Sequence, residues 1–308
     1  MIGAAIPRSS ILLAIAWLML ASGCARLPDV GRTSLKPKTI SELQGYLLNH
    51  KADLDLFRLR GPFDVAMQKN YEMRLSTTEL INTDLFLSAP AGKAPLVIFL
   101  HGLDSSKDEH TYQAMHVASW GMHCLALQLP NNGPWVSNGK TLAKIVNFIY
   151  RWPEIIDGRI DVNKIILVGH SYGGASVAVA LAEGAPAVGG ILLDPAAISR
   201  DLPAYLSQVN SPVLLLGADE QVSSARNRGY FYRFIRGSVA EVSIKGATHE
   251  DAQFPSESGL ATEVLQVTFV SAITSAAFSL SSTGKFDYAW ASFGDVFKNG
   301  KFFNARKK

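Results

Sequence analysis

From residue 94 onward, short and mainly apolar runs alternate with longer mixed segments. Residues 95–100, 123–129, 164–168, 189–193 and 212–217 form such runs, and their length and composition suit strands covered on both faces. Segments at about 109–120 and 140–156, and the small-residue run 175–182, read as the intervening helices. Strands alternating with helices predict a mostly parallel central sheet with helices on both faces, an α/β domain. Upstream the pattern changes. Residues 63–89 carry period-two patches such as 84–88, which predict two or three antiparallel strands ahead of the parallel part. Residues 260–280 are apolar enough to suggest a membrane span, but they include Glu263, Gln266 and several Ser and Thr, and are expected to form a long last helix packed on the sheet.

One junction in this pattern carries chemistry. Gly169-His170-Ser171-Tyr172-Gly173-Gly174 joins the run 164–168 to the run 175–182, the strand, sharp turn and helix of a nucleophile elbow. A serine there presents Oγ from a strained turn, and the flanking glycines avoid collisions that a Cβ would make with the neighbouring strand or helix. The residue after the nucleophile, Tyr172, offers a backbone N–H to the negative oxygen of an acyl-transfer intermediate. Ser171 needs a base, which in this architecture follows it in the chain. Of the seven histidines (His50, His101, His110, His116, His123, His170 and His249), only His249 does, in the loop 246–249 after the alternating segment 241–245.

The base in turn needs a carboxylate to accept its Nδ1–H and stabilise the imidazolium. Between Ser171 and His249 stand Glu183, Asp194, Asp201, Asp219, Glu220 and Glu241. Catalytic groups in such sheets sit at the carboxyl ends of strands. That removes Glu183 on the elbow helix, Glu241 at a strand start and Asp201 in a helical excursion. Two places remain: Asp194 after 189–193, and Asp219 with Glu220 after 212–217.

At this point the segments FLHGL (99–103), GHSYGG (169–174), ILLDP (191–195) and IKGATH (244–249) resemble the α/β-hydrolase superfamily, in the branch of plasma-type platelet-activating-factor acetylhydrolases and chlorophyllases. The resemblance covers roughly residues 94–255. It implies that the acid is Asp194, ending the strand after the elbow helix; the neighbouring cutinase-like polyester hydrolases would instead place it at Glu220, or less well Asp219. It also implies that the second oxyanion donor is the N–H of Leu103, with His101 bracing that loop. The activity implied is serine ester hydrolysis of a carboxylic ester with a short or medium acyl chain. Acyl transfer to another acceptor would use the same triad, and a non-catalytic surface-binding lipoprotein is the reading from a different class. The pocket wall falls to 104–110, 131–138, 198–209 and the C-terminal tail.

The first 23 residues read as a signal peptide: Arg8, an apolar stretch 11–20 too short to span a bilayer, then Ala21-Ser22-Gly23-Cys24. They resemble a bacterial lipoprotein signal, with the leucine, Leu20, one place further from the cysteine than usual. This implies lipidation of Cys24, membrane attachment through it and, with Ala25 next, an outer-membrane location facing the periplasm. The alternative is an ordinary signal and a soluble periplasmic or secreted protein. With Cys24 acylated, Cys124 has no internal partner and reads as a small buried hydrophobe. Residues 24–45 are expected to be a tether and 46–308 one hydrolase domain, with an aromatic and basic tail at 285–308 that either folds back onto the domain, lies on lipid or caps the acyl pocket. A net charge of +3 without a basic recognition module argues against nucleic acid. No metal-binding or nucleotide-binding motif is present, so no cofactor or metal is expected.

Overall fold

A computed structural model describes residues 31–219, 228–256 and 258–308. The signal segment, Cys24 and Glu220 lie outside the described residues. Nine strands are described: β1 (Val65–Arg74), β2 (Leu80–Ser88), β3 (Ala94–Leu100), β4 (His123–Leu127), β5 (Ile160–His170), β6 (Gly189–Leu193), β7 (Val213–Gly217), β8 (Val239–Ile244) and β9 (Phe302–Lys307). They form one sheet in the order β1-β2-β4-β3-β5-β6-β7-β8-β9. The strands β3 to β8 run parallel, while β1, β2 and β9 are antiparallel to their neighbours. The helices are α1 (Ile40–Leu48), α2 (Thr111–Ser119), α3 (Trp135–Arg151), α4 (Ser171–Ala182), α5 (Leu202–Leu206), α6 (Arg228–Phe234), α7 (Glu263–Thr283), α8 (Asp287–Ser292) and α9 (Gly294–Lys298).

Alternate residues of each parallel strand feed two cores. Val97 and Phe99 of β3 pack with α1, α2 and α7 on one face, while Leu96, Ile98 and Leu100 pack with α3 and α4 on the other. Every residue of β3, β4, β6 and β7 is buried, which is why these strands read as continuous apolar runs. Truncating one large residue here, such as Phe99, costs about 3–5 kcal/mol.

Several expected boundaries move. The helix α3 starts at Trp135 rather than near 140, because its first turn is tied down: Ser176 Oγ donates to Trp135 O (2.8 Å) and Asn138 Nδ2 to Pro130 O (2.8 Å). It stops at Arg151 because Trp152 precedes Pro153 and takes an extended φ of −136°. The helix α7 ends at Gly284, whose φ of 69° is the left-handed closure glycine provides at little cost. From Phe269 to Ser281 every α7 residue is buried, so this apolar helix is part of the core.

The expected tether is shorter than 24–45. Thr39 Oγ1 accepts from Glu42 N–H (3.1 Å) and opens α1, which buries Ile40, Leu43 and Leu47 against Trp120 and Phe63 in the same core. The spacing of these three puts them on one helix face, a pattern obscured in the sequence by the polar residues around it. The tail also joins the domain: Phe286, Phe293 and Phe302 are buried, and β9 pairs with β8, bringing charged residues to the sheet edge.

Candidate active site

The elbow is built by sterics. At the end of β5 the chain reverses into α4 with Ser171 at φ 53°, a left-handed value that a serine adopts only where its surroundings hold it. A Cβ at Gly173 would lie 2.2 Å from His101 O, and one at Gly169 would lie 2.4 Å from Gly173 O, so only glycine permits this approach. The loop after β3 passes directly against the serine, since a Cβ on Gly102 would come within 2.9 Å of Ser171 Cβ. Tyr172, in the first turn of α4, has an N–H that the helix itself cannot satisfy.

His101 is buried and braces that loop. Burial lowers its pKa, so the ring is neutral, and both ring nitrogens meet backbone: Nδ1 lies 2.9 Å from Gly102 O, and Nε2 lies 2.9 Å from Leu129 O and 3.2 Å from Leu129 N. Buried Lys107 adds a second anchor through Asp84 on β2 (2.8 Å). Leu103 stands exposed between these two fixed points.

His249 opens a short 3₁₀ turn after β8. Its position is set by Thr248 and Asp251, which form a reciprocal capping box: the Thr248 side chain accepts from Asp251 N–H, while Asp251 Oδ2 accepts from Thr248 N–H (2.7 Å) and Oγ1 (2.9 Å). The signature Thr248-His249-Glu250-Asp251 is legible in the sequence as a helix-start pattern. Nδ1–H of His249 donates to Asp194 Oδ2 at 2.6 Å. This fixes the tautomer and leaves Nε2 as the lone-pair nitrogen.

Asp194 has φ 39° and is fully buried. Burial pushes its carboxyl up, but the hydrogen bond and charge of His249, the charge of Arg228 and the Ala218 N–H outweigh that and hold it below the ordinary carboxylate range. Arg228 Nη1 donates to Asp194 Oδ1 at 2.5 Å and Ala218 N–H donates to the same oxygen at 3.1 Å. Of the two rival carboxylates, Glu220 lies outside the described residues, and Asp219 bonds the backbone: its Oδ2 accepts from Gly246 N–H (2.9 Å) and its N–H donates to Ala247 O (2.8 Å), fastening the loop that leads to His249.

Two contributors were missed by sequence reasoning. His170, passed over because it precedes Ser171, lays its ring on that of His249 (centroids 4.4 Å apart) and donates from Nε2 to His249 O (3.1 Å). Burial, then the neighbouring His249, drives its pKa well down, so it is a neutral buttress. Arg228 gave no signal, since an arginine in a short helix reads as surface.

Residues 97–292, more than half of the chain, match the model of the alpha/beta hydrolase family. The chain belongs to the alpha/beta hydrolase family. Among curated relatives of this hydrolase, platelet-activating factor acetylhydrolase of Gallus gallus is 25% identical over 171 residues, covering 54% of this chain and 39% of that protein. The hydrolase thus spans well under half the length of that relative.

Proposed function

We propose that this alpha/beta hydrolase is a serine ester hydrolase acting on carboxylic esters through an acyl-enzyme on Ser171. The observation that carries the reading is the 2.6 Å bond between His249 and Asp194, with His249 packed against His170, the residue before a serine held at φ 53° on a strand-to-helix elbow. With Nδ1–H committed to Asp194, Nε2 of His249 takes the Oγ proton as Ser171 attacks the ester carbonyl carbon. The carbonyl oxygen becomes negative and is stabilised by the N–H groups of Tyr172 and Leu103. Collapse of this intermediate expels the alcohol, which leaves with the proton returned by His249. Water, deprotonated by the same nitrogen, then attacks the acyl group, and the second collapse restores Ser171 and releases the acid.

Likeness to an acetylhydrolase favours a short or medium acyl chain, and the FLHGL, GHSYGG and ILLDP segments favour the same branch of the family. Attachment of the exported enzyme to the outer membrane through a lipidated Cys24 belongs to the same proposal. Hydrolysis of p-nitrophenyl esters of graded acyl length tests the activity: rates highest from two to roughly eight acyl carbons support it, and no turnover on any ester would end it. Growth with labelled palmitate tests the anchor, which predicts label on the wild-type chain and none after Cys24→Ser.

A further inference from the structure

The catalytic acid of this reading is held from two sides. Arg228 is fully buried, and its guanidinium lies over Gly217 at the end of β7, where an added Cβ would fall 2.1 Å from Nε. Any other residue at 217 would expel it. Its Nη1 reaches Asp194 Oδ1 (2.5 Å), its Nη2 donates to Ser243 Oγ (2.8 Å), and its Nε faces Glu241 Oε1 at 3.8 Å. Glu241 is itself buried and accepts from Nε of Arg306 on β9 (2.6 Å), whose guanidinium stacks on Tyr232. Alternating charges therefore run inward from the C-terminal strand: Arg306, Glu241, Arg228, Asp194, His249.

We infer that Arg228 is a positioning residue of the active site, clamping Asp194 through the oxygen that His249 does not use, and that Glu241 and the C-terminal strand hold that clamp in place. This rests on the reading of Ser171, Asp194 and His249 as a triad. Two physical consequences follow. With one carboxylate oxygen on Arg228 and the other on His249, Asp194 cannot rotate without breaking a buried ion pair, so the imidazole stays aimed. The buried positive charge also opposes protonation of the Asp194–His249 pair, while Glu241 partly cancels it. Among the described residues, the pair is also faced by His170 from the elbow, by Asp219 through Gly246 and by Asp251 in its own turn, all unchanged in the variants below.

The test reads the acid limb of the kcat/KM profile on a short-chain p-nitrophenyl ester, with rates normalised to sites titrated by a fluorophosphonate. Arg228→Met removes the opposing charge, so the limb moves to higher pH by about one unit and kcat falls at least tenfold. Glu241→Gln removes the cancelling charge and keeps the shape, so the limb moves the other way, to lower pH. Arg228→Lys restores the limb position but not the full kcat, because an ammonium lacks the fork. A merely structural role would reduce the titratable fraction without moving the limb. If Arg228→Met does not fold, Glu241→Gln decides alone. Ser171→Ala run alongside separates the two claims: a dead Ser171→Ala with unmoved limbs in the other variants overturns the clamp and spares the triad, while an active Ser171→Ala overturns both.

Discussion

Two carboxylates end adjacent parallel strands, and they do different work. Asp194 follows β6 and Asp219 follows β7; both are buried and both accept a backbone N–H. The difference is in the backbone. Asp194 takes a left-handed φ of 39°, and its carboxylate meets an imidazole and a guanidinium, while Asp219 bonds the backbone at Gly246 and Ala247. On the proposed reading, one strand end thus supplies the acid of the triad, its carboxylate turned to His249 from a left-handed backbone, while the next strand end fastens the loop that leads to His249.

The comparison breaks most sharply under substitution. Asp194→Asn keeps the shape but favours the wrong tautomer of His249, and lowers kcat/KM on the order of ten-thousandfold. It also leaves the buried charge of Arg228 without that counter-charge, so urea unfolding should show about 3 kcal/mol less stability.

Acid sharpens the contrast between these carboxylates and the buried imidazoles around them. Burial pushes His110, His116 and His123 down to about 4, from an ordinary value of 6.5. The unfolded chain therefore binds three protons that the folded chain refuses between those values, and stability falls as pH drops through that window. From pH 7 to 5.5 these three rings contribute a loss of about 4 kcal/mol, to which His101 and His170 add, to be read from urea midpoints. Asp194 works at a different pH: its carboxyl is depressed, so the stability it adds is full above the ordinary carboxylate range and is lost as pH falls from that range toward the depressed value. A flat stability profile from pH 7 to 5.5 would contradict the neutral, buried state of these rings.

Asp219→Ala gives the smaller effect. It leaves Gly246 N–H without its carboxylate acceptor, which costs about 1–3 kcal/mol. The slackened loop should lower kcat by less than about tenfold, far short of Asp194→Asn. Equal losses in the two variants would show that the carboxylates are not divided as described.

The same division explains what the sequence could tell. The elbow was legible because each of its residues answers a local steric demand, and the buried strands because all their positions are apolar. The residue pattern left Asp194 in competition with Glu220 and Asp219, and the family resemblance favoured Asp194; φ at a single residue leaves no mark on composition. Arg228 and Glu241 were invisible for another reason: their partners lie on other elements, and a lone charge in a short helix or at a strand start looks solvated. The C-terminal strand was hidden likewise, because Phe302 and Phe303 give a strand pattern only once β8 lies beside them. The start of α1 fell within the expected tether, because the polar residues between Ile40, Leu43 and Leu47 mask the stripe these three form.

The most direct test of the account is where a fluorophosphonate attaches. Peptide mass spectrometry of the labelled protein should find the adduct on Ser171 alone, with labelling abolished in Ser171→Ala and slowed by orders of magnitude in His249→Ala. An adduct on any other residue, or ester hydrolysis at the wild-type rate in Ser171→Ala, would contradict it.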